Sequence, residues 1–249
     1  MSDAVPTVAE LRATLRSIEG DVRDRPVLPF GIDALDGRLG DGGLRLDALH
    51  EVGSRGVGWG DDAAAVLFAA GVAARTRGEV LWVVRSRDLF APGLYQAGLA
   101  PQRVIYAEAR DDGELLALVE EGLRHRGLGA VVGEAKRVQM AQARRLQLAA
   151  EGGGTVALLL RRPARDGADP LAVPSAAVTR WRIAHAPSAP VAWEGLGRAC
   201  WRVECVRQRG GDPFELVMEG SDEAGRLALP AQLVDRPAAA DRARPRAVG

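Results

Sequence analysis

Lysine is almost missing from this chain. Of its 33 basic residues only Lys136 is a lysine, and the rest are arginine. Codon usage in a GC-rich genome accounts for such a bias, but it leaves one flexible ammonium for any site that needs one. Net charge is missing too, with 33 basic residues against 33 acidic ones, so no global field draws the chain to nucleic acid. Cysteine is scarce. Cys200 and Cys205 fall on one expected strand at an odd separation, which points them to opposite faces and excludes a bridge between them. No CxxC pair or Cys/His cluster offers a zinc site. No apolar run is long enough to span a bilayer and no signal peptide opens the chain, so a cytoplasmic protein without membrane contact is expected. His50, His125 and His185 are scattered and lack spaced metal-ligand partners. Ser54 and Ser86 have no evident base, and there is no nucleophile elbow or triad.

What is present reads as a globular protein: 249 residues, 47% hydrophobic and 27% charged, enough for one large domain with a core. Three segments are expected. Residues 1–24 hold a helix and linker, residues 25–225 the core with a C-terminal β-hairpin, and residues 226–249 a flexible Pro-, Ala- and Arg-rich tail. The first helix, Thr7 to Glu19, places Val8, Leu11, Leu15 and Ile18 on one side. That stripe needs a cover, either on its own domain or on a neighbouring subunit.

Beyond Leu28 the pattern alternates. Strands are expected at Leu49–Val52, Glu79–Val84, Arg103–Tyr106, Ala130–Val132 and Gly154–Leu160. Helices are expected at Asp61–Arg77, Leu89–Leu99, Asp112–Arg126 and Arg137–Ala150. Near-continuous apolar strands separated by helices indicate an α/β three-layer sandwich around a mostly parallel sheet. After Arg161 the period becomes two, around Trp181, around Trp201 and around Leu216. The run Gln208 to Pro213 is a turn signal, so an antiparallel hairpin extends the sheet.

The strand ending at Val52 leads into Gly53-Ser54-Arg55-Gly56-Val57-Gly58-Trp59-Gly60. A phosphate loop needs this strand–loop–helix context and the spacing from Gly53 to Gly58. It also needs a lysine and a hydroxyl next, and here Trp59 and Gly60 stand in their places. Lys136 lies far along the chain and is not expected to rescue the site, and Arg55 sits on the loop rather than at the helix entry. Without the cation and the magnesium ligand, phosphoryl transfer loses its charge-stabilising parts. The loop is read as vestigial, with no ATP binding expected. The alternative is a glycine-rich turn unrelated to phosphate.

With the strands so placed, the chain resembles the RecA core. The stretch Val84-Arg85-Ser86 lacks the carboxylate that the resemblance implies after the second core strand. Glu134 falls where the Walker B acid belongs, and its other reading is a solvated carboxylate at a strand end. More narrowly, the chain resembles the ImuA family from about Leu28 to Gly225. The resemblance is carried by LPFGIDALD (28–36), ALHEVG (48–53), VLWVV (80–84), DLFAPGLYQAGL (88–99), VVGEA (131–135), RRLQLAAEGG (144–153), TRWRIAHAPS (179–188), GLGR (195–198) and WRVECVRQRGG (201–211). Each is weak alone; their order and spacing make them specific. This resemblance implies a RecA-like protein without ATPase chemistry, acting in damage-induced, error-prone translesion synthesis at the nucleoid. The partners it implies are an ImuB-type inactive Y-family polymerase and the catalytic subunit of an error-prone replicative-type polymerase, with RecA as a further one. The SulA family, inhibitors of cell division with a tubulin-like target, shares the pattern only from about Val80 to Arg162. A weak residual DNA-dependent ATPase is the third reading, opposed by Trp59 and Gly60.

A basic stretch follows the last core strand: Arg161, Arg162, Arg165, Arg180 and Arg182, with Trp181 interleaved. One reading is a contact for single-stranded DNA or a partner, through phosphate pairing and stacking. The other follows from alternation, which turns Trp181 inward and leaves Arg180 and Arg182 on a solvated face.

Overall fold

A computed structural model describes residue 7 and residues 25–56, 58–162, 169–188, 191 and 195–230. The expected N-terminal helix, Arg165 and most of the expected tail lie outside the described residues.

The chain enters through a small antiparallel pair, β1 (Val27–Leu28) with β2 (Leu44–Arg45). Between them sits the short helix α1 (Asp33–Asp36). The Asp36 carboxylate accepts the backbone N–H groups of Phe30, Gly31 and Ile32 at 2.7, 2.7 and 3.2 Å. Gly31 makes this turn at φ +79°, a conformation that disfavours any other residue. The turn holds Phe30 against Phe68 and Trp181, with ring centroids 6.1 Å away in both cases.

The main sheet is built from β3 (Leu49–Ser54), β4 (Glu79–Val84), β5 (Val104–Glu108), β6 (Leu128–Ala135), β7 (Val156–Arg161), β8 (Thr179–Ala186), β9 (Cys200–Gln208) and β10 (Phe214–Glu219). Its order is β10-β9-β8-β3-β7-β6-β4-β5. Strands β5, β4, β6, β7, β3 and β8 are mutually parallel, and β9 and β10 add on antiparallel. The strand around Trp181 thus belongs to the parallel set, and the β9–β10 hairpin extends it. The helices are α2 (Trp59–Ala74), α3 (Ala91–Gln96), α4 (Asp112–Arg124) and α5 (Met140–Gly153).

Strand alternation divides the core in two. Val80, Trp82, Val132, Leu158 and Trp181 face α2, α3 and the entry segment. Leu49, Val83, Val131 and Leu159 face α4 and α5. This is the α/β three-layer sandwich expected from the apolar strand runs. The segment after β10 stays ordered beyond Gly225: Leu227 is buried and Ala228 bridges Glu219. Cys200 and Cys205 are both buried and unbridged, and burial pushes the Cys205 thiol up to about 12, so it stays a thiol.

Candidate functional site: the Gly53–Gly60 end of the sheet

β3 runs two residues further than expected, so the loop proper is residues 55–58. Packing accounts for two of the glycines here, Gly53 and Gly56. A Cβ on Gly53 would press on the Leu171 side chain at 3.2 Å, and one on Gly56 would lie 3.0 Å from Asp61 Oδ2. Gly58 is the N-cap residue of α2 in an ordinary extended conformation, and a Cβ there would meet nothing. A Cβ on Gly60 would meet only the His185 side chain, at 3.8 Å.

Electrostatics at this helix start differ from those of an anion cradle. Asp61 and Asp62 occupy the first turn of α2, where carboxylates complement the positive end of the helix dipole. Asp61 also reaches across to β8, its Oδ1 accepting the His185 backbone N–H at 2.8 Å. Arg55 turns away to Glu215, at 3.0 Å. Trp59, in the lysine position, is 91% exposed.

Trp59 stands over two adjoining cavities. One, of about 270 Å³, is largely apolar and lies between α2 and α3, lined by Val66, Leu67, Leu89, Phe90 and Leu94. Phe90 is itself 69% exposed. The other, of about 230 Å³, is polar, with Arg85, Lys136 and Arg162 against Asp62, Asp88 and Glu134. Sequence distance therefore misleads about Lys136, which the end of β6 brings into the same cavity as Trp59. The charges there balance, three against three.

Glu134 is not a solvated carboxylate. It is 4% exposed, with Oε1 accepting Trp82 Nε1–H at 2.8 Å and Oε2 accepting Arg162 Nη2 at 2.6 Å. Both oxygens are committed to protein donors. Arg85 donates to Asp112 at 2.9 Å, and Asp112 also accepts the backbone N–H groups of Lys136 and Arg137, tying the ends of β4 and β6 to the start of α4.

The arginine stretch separates into different roles, and neither reading of it survives whole. Trp181 is fully buried, as alternation requires. Arg180 is buried too, and so is Arg161. Both donate to Glu51, Arg161 Nη1 and Arg180 Nε each at 2.7 Å, with Ser175 Oγ donating at 2.9 Å. A guanidinium held this way cannot reach a phosphate without stranding a buried charge, so Arg161 and Arg180 drop out as surface contacts. Arg162 is held by Glu134, and Arg182 by Asp169 and Glu204 at 2.5 and 3.0 Å. Sequence reasoning passed over Glu51, although a carboxylate inside an apolar strand run is the visible sign of a buried ion pair.

Beside Glu51, His50 joins β3 to β8. The Arg45 carbonyl can only accept, so His50 Nε2–H donates to it at 2.8 Å and Nδ1 accepts from Thr179 Oγ1 at 2.7 Å. Thr179 Oγ1 in turn accepts Trp181 Nε1–H at 2.6 Å. Complete burial holds the imidazole well below its usual range, at about 4, and the charge of Arg45 adds to this.

The described residues contain no cluster of side chains able to hold a metal ion, and no helix among them is long and apolar enough to cross a membrane.

The chain is 43% identical over 220 residues to the protein ImuA of Caulobacter vibrioides, in two strains, an alignment covering 85% of this chain and 90% of that protein. This chain belongs to the ImuA family. No described family profile matches it. Among solved structures, SulA from Pseudomonas aeruginosa is similar over 46% of this chain and 97% of its own, at 22% identity and a TM-score of 0.40.

Proposed function

We propose that this chain is a non-catalytic accessory protein of damage-induced, error-prone translesion DNA synthesis, acting through protein–protein contacts. Membership of the ImuA family supports the process, and the exposed Trp59 supports the mode of action. A tryptophan at 91% exposure over an apolar cleft, with Phe90 beside it, has the composition of an interface anchor. The partner it would receive is an ImuB-type inactive Y-family polymerase, which would bring the chain to an error-prone replicative-type polymerase.

The residues do not fit magnesium and ATP. The positive end of α2 is already met by Asp61 and Asp62, Trp59 replaces the cation, and both oxygens of Glu134 are occupied by Trp82 and Arg162.

The test is binding of the purified chain to its ImuB-type partner, with Trp59→Asp and Phe90→Ala compared with the parent. Loss of an anchor typically costs about 2 kcal/mol or more of binding, roughly thirtyfold in affinity. Both side chains are largely exposed, so melting temperature should not change. Undiminished partner binding by both variants would remove this cleft as the contact surface.

A further inference from the structure

A second cleft lies at the opposite edge of the sheet. Helices α4 and α5 each feed into a following parallel strand, so their C-terminal ends sit at the edge away from the phosphate loop. Between them is a cavity of about 450 Å³ lined by Glu120, Arg124, Arg126, Arg145, Leu148, Ala149, Gly152 and Gly153.

Its charge is organised rather than accidental. Glu120 is buried, and its two oxygens lie 2.5 Å from Nη2 of Arg124 and 2.5 Å from Nη2 of Arg145. The two arginine side chains are nonetheless 61% and 68% exposed. Each is pinned by one nitrogen and has further N–H donors to offer, so part of the entropy cost of ordering them on binding is already met. Arg126 lines the same cavity and has no ion pair among the described residues. Three guanidiniums against one carboxylate leave the cleft with an excess of two positive charges. At its lip Leu148 is 67% exposed, and a Cβ on Gly152 would meet nothing within 4 Å.

We propose that this cleft docks an acidic segment of a protein partner, pairing two carboxylates with the arginines and one apolar side chain with Leu148. The charge excess sets the number of carboxylates, and Leu148 sets the apolar neighbour. A nucleic-acid backbone fits less well. The arginines form a short patch rather than a track, exposed Glu121 and Glu151 lie on the same two helices, and Leu148 offers a phosphodiester nothing.

The experiment is fluorescence anisotropy with the full chain at low ionic strength, where exposed charge pairs are least screened. The probe is a short labelled peptide alternating aspartate and leucine; a second peptide carries asparagine for aspartate, and a third probe is a labelled oligothymidylate. The aspartate peptide should bind, and Arg145→Glu should weaken it about tenfold or more. Gly152→Trp, which fills the cleft and leaves every arginine in place, should weaken it comparably and guards against misfolding of the first variant. Absence of binding, equal binding of the asparagine peptide, or indifference to both substitutions overturns the proposal. So does tighter binding of oligothymidylate that is lost in Arg145→Glu, which would make the cleft a nucleic-acid contact.

Discussion

His50 and Glu51 are neighbours on β3, and each carries a burden that its surroundings must balance. His50 is useful to the fold only while neutral, because Nδ1 must accept from Thr179. Its folded-state pKa of about 4 lies below the ordinary value of 6.5. Between these values the unfolded chain takes up a proton that the folded chain refuses, so stability falls as pH drops through that window and is fully present above it. A difference of this size corresponds to about 3 kcal/mol. Urea denaturation across that range should show the loss, and His50→Gln should flatten the slope relative to the parent; an unchanged slope would refute the assignment. Glu51 presents the opposite problem. Removing its charge in Glu51→Gln strands two buried guanidiniums, and chemical denaturation should show a destabilisation of about 3–5 kcal/mol. The sequence displayed Glu51 plainly, but pairing it with Arg161 and Arg180 needed the strand order, in which β3 lies between β7 and β8. The same is true of Lys136, remote along the chain yet lining one cavity with Trp59.

At the scale of elements, the last turn of α5 gives a controlled comparison. Gly153 must be glycine, since a Cβ there would lie 1.8 Å from the Leu123 carbonyl oxygen, whereas Gly152 faces open space. Gly152→Ala should raise stability by about 0.5–1 kcal/mol through helix propensity, while Gly153→Ala should lower it; thermal unfolding of the two variants decides. Periodicity made most elements legible. The strand–loop–helix order around Gly53 to Gly60, the Leu115–Leu123 face of α4 and the hairpin turn after Gln208 follow residue pattern alone, though the first strand and helix close in on the loop by two residues each. Boundaries moved where local geometry intervened. α5 begins at Met140 because Gln139 and Gln142 form a reciprocal capping box, and the helix near Leu89 is shortened to Ala91–Gln96. The alternation around Trp181 predicted its inward face correctly. It failed for Arg180, because a single strand's pattern does not reveal what covers its other side.

For the whole molecule, the three layers leave the C-terminal edge of the parallel strands as the place where a ligand would sit. In this chain that edge holds an exposed Trp59, a balanced set of charges and an apolar cleft instead of a cradle for phosphates. The proposed accessory role takes this edge as a protein contact and not a nucleotide site. The most direct measurement is binding and turnover of ATP by the purified full chain with magnesium, with and without single-stranded DNA. The account predicts no binding heat and no phosphate release in either case. Hydrolysis stimulated by DNA would contradict it and would make the protein a motor or a switch.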